Sequence, residues 1–210
     1  MDAAIRDGRA LAAGTETETM TRQFNHLAVV FADVCGSTKL YGTLGDERAR
    51  TVVDAALAIV KDILPEYDGR LVKTLGDEVM CVFTDPNRAV RAAALMQSRI
   101  SACEPGGHRL ALHIGLHYGP VLVDAADVFG DTVNAASYLC AVASAGQVLI
   151  TDPTVASLSP SVRETIRPLF HAVVKGSTDE SMVYQVLWQA DTTLITHVNM
   201  RRQNLMPQLR

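Results

Sequence analysis

The chain has 210 residues, of which 48% are apolar and 20% charged, with 14 glycines and 8 prolines, and this excludes disordered, collagen-like and low-complexity classes. That length suits one medium domain with tails and is ample for a self-sufficient core. A formal net charge of -4 supplies no global basic field for a nucleic-acid backbone or an anionic membrane, so any anion site has to be built locally.

Residues 1–24 are polar and small and read as an N-terminal tail, with the domain expected over 25–189. From His26, the run HLAVVFADV is short and rich in Val, Leu and Phe and ends in a Gly-Ser-Thr turn, the pattern of a buried strand leading into a phosphate-sized loop. A helix is expected next: from Asp46 to Leu64, Val52, Val53, Ala56, Ile59, Val60 and Ile63 recur at helical spacing, and the pattern stops before Pro65. RLVKT and EVMCVF are two β-rich runs separated by Leu75, Gly76 and Asp77, which predicts a tight hairpin with an acid at its tip. Asn87 to Ile100 is helical in period, and HRLALHIGLHYGPVLV alternates as one long strand or a strand pair. DTVNAASYLCAVASA turns helical again, with Val133, Ala136, Leu139, Cys140 and Ala143 on one face. QVLIT is a strand, DPTVASL a short helix with Pro153 in its first turn, and RPLFHAVVKG with MVYQVLW a closing strand pair. The order predicts an α/β fold, an α+β sandwich with a ferredoxin-like βαββαβ core, appended αβ elements and a mixed sheet flanked by helices. Residues 190–210 contain three arginines and no clear stop, and read as a C-terminal tail or a linker toward a regulatory domain.

Cys35, Cys81, Cys103 and Cys140 form no C-x-x-C pair and no zinc-ligand spacing, which fits a reducing cytoplasm better than a disulfide framework. No run approaches the roughly 18 apolar residues of a membrane span, so no direct membrane insertion is expected. The chemistry-bearing residues are Asp33, at the carboxyl end of the first strand, and Asp77, at the hairpin tip. The backbone N–H groups around Gly36, Ser37 and Thr38 could form an anion cradle between them. Neighbouring tips would make a pair of oxygen ligands for Mg²⁺ or Mn²⁺. Asp and Gly are also ordinary turn residues, so the spacing alone leaves a purely structural role open for each.

The segments VVFADVCGSTKL, VKTLGDEVMCVF, IGLHYGP, DVFGDTVNAAS, GQVLIT and VKG, in that order, resemble the catalytic domain of class III nucleotidyl (adenylyl/guanylyl) cyclases from about His26 to Trp188. The resemblance implies that Asp33 and Asp77 hold two divalent ions that neutralise a triphosphate and activate the ribose 3'-hydroxyl. It implies that Lys73 and Asp127 select the base. An Asp accepts from the adenine amine and a Lys donates to a ring nitrogen, which argues for ATP. Asn134 would orient the ribose and Lys175 would reach the triphosphate. Where the family usually has an Arg that stabilises the α-phosphoryl transition state, this chain has Tyr138, which can give one neutral hydrogen bond but no bidentate charged one. The stretch from Gly119-Pro120 to Asp127 is also shorter than in many relatives. These departures leave three readings: a slow enzyme, a substitute cation such as Arg109 or Arg70, or a module that binds nucleotide without turnover. A cyclase for another nucleotide is a further reading; a diguanylate cyclase would leave DTVNAAS unexplained. The resemblance further implies a head-to-tail homodimer, each site built from both copies. His113 and His117 fall in a predicted strand and read as structural or exposed.

Overall fold

The computed structural model describes residues 23–124, 127–173 and 180–189. The chain opens with strand β1 (Gln23–Val34), helices α1 (Ser37–Leu44) and α2 (Asp46–Ile63), strands β2 (Arg70–Leu75) and β3 (Glu78–Phe83), and helix α3 (Pro86–Cys103). Strand β4 (Leu112–Asp124) follows, then β5 (Asp127–Phe129), α4 (Asp131–Val142), β6 (Val148–Thr151), α5 (Asp152–Ala156), α6 (Pro160–Arg163), β7 (Ile166–Val173) and β8 (Glu180–Val186). The sheet order is β2-β3-β1-β4-β6-β8-β7, with β5 paired to β4 beside that path. The first four strands of this order, with the helices between them, are the predicted βαββαβ core. Only the β4–β6 pair is parallel among these pairings, so the sheet is mixed as expected.

Each face of β1 has its own core. Ala28, Val30, Ala32 and Val34 pack with α2 and α3, whereas Leu27, Val29 and Phe31 pack with α4. Two-residue alternation therefore places Asp33, the next odd residue, on the α4 face. Helix α4 lies hard against β4: a Cβ on Gly115 would stand 2.2 Å from the Ala136 carbonyl oxygen and 2.2 Å from the Cys140 amide. No other residue fits that approach without moving backbone.

Several local expectations are refined. The β2–β3 turn has two residues, Gly76 and Asp77, because Leu75 belongs to the strand. HRLALHIGLHYGPVLV forms one strand, not a pair, starting at Leu112. Pro120 is tolerated inside it because β6 pairs with Ile114–Leu116 and β5 with Leu122–Asp124, leaving Pro120 between the two partners on that edge. On α4 the predicted face is buried at Ala136, Leu139, Cys140 and Ala143, and the buried face is wider than predicted. Thr132 and Ala135 are buried with Ala136, Leu139 and Cys140, while Val133 is half-buried, and the Thr132 hydroxyl donates to the Pro120 carbonyl at 2.7 Å. Helix α6 had no counterpart in the sequence reading.

Candidate active site

Two groups of polar residues lie on or beside the α4 face. The first gathers where β1, β3 and β4 meet. Asp33 stands opposite Glu78 of β3 and opposite His113 of β4, so three ionisable side chains form a row across adjacent strands. Asp77 joins them from the hairpin tip, which is tied to β1 by the Val34 amide donating to the Asp77 carbonyl at 3.2 Å. Ser137 and Cys140 of α4 help close a cavity of about 400 Å³ over Asp33, Asp77, Glu78 and His113. The Cys140 thiol donates to the His113 carbonyl at 3.3 Å, and burial holds it protonated. No lysine or arginine lines this cavity among the described residues.

The charges here are unbalanced. Burial raises the Asp33 carboxyl above its ordinary value, Asp77 raises it further, and His113 and the Val34 amide offset part of the shift. Glu78 is raised for the same reasons, burial first and then Asp33 and Asp77. Clustered carboxylates in a half-buried pocket favour a cation between them. Hard oxygen donors of this kind suit Mg²⁺ or Mn²⁺. Among the described residues no set of three or more His, Cys, Asp or Glu side chains is already gathered for a metal, so an ion held by Asp33 and Asp77 would draw further ligands from beyond these two carboxylates.

Asp77 also borders a second cavity of about 580 Å³, with Ser37, Thr38, Arg50 and Thr74. Gly36 adopts φ 72°, the left-handed turn that feeds α1, and no side chain caps that helix or places an acid in its first turn. The predicted cradle of Gly36, Ser37 and Thr38 therefore lies beside the acid at the hairpin tip.

The second group is the pair Lys73 and Asp127. The Lys73 ammonium donates to Asp127 Oδ2 at 2.7 Å, and the Val128 amide donates to Oδ1 at 2.8 Å. The hydrogen bond from Lys73 is the first cause holding the Asp127 carboxyl below its ordinary value. A β-bulge makes this pairing possible. Leu71 is opposite Cys81, but Lys73 is opposite Met80, so one extra residue moves Lys73 from the α2/α3 side to the side of Met80 and α4. Leu75, two residues from Lys73, and Phe129, two residues from Asp127, are exposed.

The remaining predicted residues are dispersed. Asn134 is exposed on α4. Tyr138 packs its ring against a cluster of Leu139, Ala143, Leu149 and Val183, so it acts at least as a wedge between α4 and the sheet. Lys175 lies outside the described residues. Of the suggested substitute cations, Arg109 is 91% exposed and paired with Glu104, and Arg70 stands near enough to Asp127 to lower its pKa; neither lines the acid cavity.

Sequence reasoning missed Glu78 and His113 as members of the site. The signal for His113 lay in the antiparallel pairing of β1 with β4, which no single-strand pattern reveals. His117, four residues on, is structural as expected. Its Nδ1 lies 2.6 Å from the Thr151 hydroxyl, and burial pushes its pKa down to about 4.

Comparison with known proteins gives this geometry a context. The family model described as adenylate and guanylate cyclase catalytic domain matches residues 19–187. The chain is 36% identical over 143 residues to an adenylate cyclase of Streptomyces coelicolor, covering 68% of this chain and 36% of that protein. It is 33% identical over 147 residues to an adenylate cyclase of Streptomyces griseus, covering 70% of this chain and 35% of that protein. The chain thus spans about a third of the length of these relatives. Among solved structures, the adenylyl cyclase CyaB from P. aeruginosa superposes with a TM-score of 0.70 at 25% identity, covering 79% of this chain and 95% of that one.

Proposed function

Because the chain belongs to the adenylate and guanylate cyclase catalytic-domain family, we propose that it converts ATP to 3',5'-cyclic AMP and pyrophosphate at a site shared by two copies. The observation that carries this reading is the convergence of Asp33 and Asp77 beside the uncapped start of α1, a place for cations next to a place for phosphates. Two Mg²⁺ or Mn²⁺ ions held by Asp33 and Asp77 would supply charge neutralisation and a more acidic 3'-hydroxyl. The Gly36, Ser37 and Thr38 backbone binds phosphate oxygens, and Lys175 adds a cation to the triphosphate. Asn134 holds the ribose so that its 3'-oxygen stays in line with the α-phosphorus.

Adenine is favoured over guanine by the Lys73–Asp127 pair. Asp127, held ionised, accepts from the exocyclic amine, while Lys73 donates to a ring nitrogen; the guanine carbonyl would meet the carboxylate as a second acceptor. The pair is preset by its own 2.7 Å contact, so little side-chain entropy is lost on binding the base.

The dimer is head-to-tail, the acids of one copy facing the base pocket and Asn134 of the other. Leu75 and Phe129, exposed by 50% and 47%, support an apolar seam around the base-reading pair. No helix among the described residues is long and apolar enough to cross a membrane. Four free thiols suit a reducing compartment, and we place the chain in the cytoplasm.

A second reading rests on Tyr138. Packed in apolar surroundings, it gives the α-phosphoryl group no charged donor, and loss of one such donor costs on the order of a hundred- to a thousandfold in kcat. The module would then bind nucleotide and regulate a partner. Incubating the purified chain with Mn²⁺ and each of ATP, GTP, CTP and UTP, with product identified by mass spectrometry, separates the readings. Turnover of ATP that Asp77→Ala abolishes supports the cyclase, and turnover surviving that change refutes the metal assignment. An inert parent that gains turnover as Tyr138→Arg supports the binding module.

A further inference from the structure

His113 enters the acid cavity from β4, on the opposite side of Asp33 from Glu78. Its Nδ1 lies 3.9 Å from Asp33 Oδ2. That separation is too long for a hydrogen bond, for which roughly 3.2 Å is the working limit. It does suit two ligands of one ion. Two atoms closer than roughly 4.2 Å, twice a bond of about 2.1 Å, can both reach one ion. The ring is about as exposed as the carboxylate, with relative side-chain exposures of 29% and 31%, so both face the cavity from which an ion would enter.

Resting on the cyclase reading above, we propose that His113 supplies an imidazole nitrogen to the ion that Asp33 binds, and so biases this site toward Mn²⁺ over Mg²⁺. The chemistry follows from the donor. Mg²⁺ is a hard ion that keeps oxygen ligands and parts with water reluctantly, whereas a first-row transition ion accepts imidazole readily. Exchanging one oxygen for a nitrogen in an otherwise carboxylate site therefore stabilises the Mn²⁺ complex more than the Mg²⁺ complex. Two further contacts hold the residue in place. The strand register puts His113 directly opposite Asp33, and the Cys140 thiol binds the His113 carbonyl, fixing its backbone between β1 and α4. His117 does not take this part: it does not line the acid cavity, and its Nδ1 is engaged by Thr151.

The test reads the bound ion itself. The full chain is loaded with Mn²⁺ and inorganic tripolyphosphate in a nitrogen-free buffer, and electron spin-echo modulation is recorded. A ¹⁴N modulation is expected from the wild type, changing to that of ¹⁵N when the protein carries ¹⁵N-histidine, and absent from His113→Gln. The same variant should bind Mn²⁺ on the order of tenfold more weakly and lose much of its preference over Mg²⁺, in line with the effect of removing groups that support a metal ligand. Mn²⁺ bound without nitrogen modulation, or with modulation unchanged in His113→Gln, would overturn the assignment while leaving the cyclase reading intact. Mn²⁺ binding that is absent, or indifferent to Asp33→Ala, would overturn both. The isotope experiment uses the unaltered sequence and reports whether a histidine binds the ion; His113 is the histidine that lines the acid cavity among the described residues, so the result bears on it even if His113→Gln fails to fold.

Discussion

The acid cavity and the Lys73–Asp127 pair sit on the same β-sheet scaffold and differ in their electrostatics. At the pair, opposite charges meet at 2.7 Å and lower the Asp127 pKa, so its geometry is set before any ligand arrives. In the cavity Asp33, Asp77 and Glu78 repel one another, two of them are raised in pKa, and no described lysine or arginine lies among them. One region is complete within the chain; the other is completed by what it binds. A base-reading element benefits from rigidity, since discrimination depends on fixed donors and acceptors. A metal and phosphate site benefits from stored repulsion, since bound cations relieve it.

That contrast can be broken most severely at the acids. Asp33→Ala should cut ATP turnover by on the order of a thousandfold or more and remove Mn²⁺ binding, measured by cyclic nucleotide yield and by titration of the ion, while circular dichroism stays unchanged. Changing the pair should redirect activity instead of ending it. Lys73→Glu with Asp127→Cys should lower the ratio of ATP to GTP turnover by about a hundredfold, and an unchanged ratio would detach the pair from base selection. Mixing Asp33→Ala with Asn134→Ala chains tests whether the regions serve one another across copies. Random pairing leaves about a quarter of the sites intact, so activity should return to roughly that fraction of wild type. No recovery in proven heterodimers would count against shared sites.

The smallest effect sharpens the comparison along β4, where His113 faces the cavity and His117 is enclosed. His117 has a folded pKa of about 4 against an ordinary 6.5. The unfolded chain therefore takes up the proton first as the pH falls. The contribution of His117 to stability is complete above about pH 6.5, declines toward pH 4 and is lost below it, a change of roughly 3 kcal/mol. Asp33 and Glu78 have the opposite sign in the metal-free protein: with raised folded values, they favour the fold increasingly as the pH falls. In urea unfolding, His117→Gln should flatten the decline between pH 6.5 and 4. A decline as steep as that of the wild type would mean that the buried imidazole is not its source.

Much of this was legible along the chain. Apolar residues at helical spacing marked α2 and α3, and the Gly-Ser-Thr turn after Asp33 marked the end of β1, because each signal is local; α1, which starts inside that turn, reads as loop in the sequence. The buried face of α4 is wider than predicted, taking in Thr132 and Ala135, because the close seat of its backbone on Gly115 of β4, a contact between distant segments, sets how much of the helix is covered. Tyr138 could be identified as a departure by its position, but its packing against Leu149 and Val183 depended on where β6 and β8 came to lie.

By itself, then, the order of residues determined most of the elements, the βαββαβ core and the two acids at strand ends, since hydrophobic period and turn chemistry act over a few neighbours. Tertiary structure decided which side chains meet. The bulge around Val72 turned Lys73 toward Asp127, and the pairing of β1 with β3 and β4 set Asp33 between Glu78 and His113. Register is a relation between strands, and a shift of one residue sends every side chain to the opposite face.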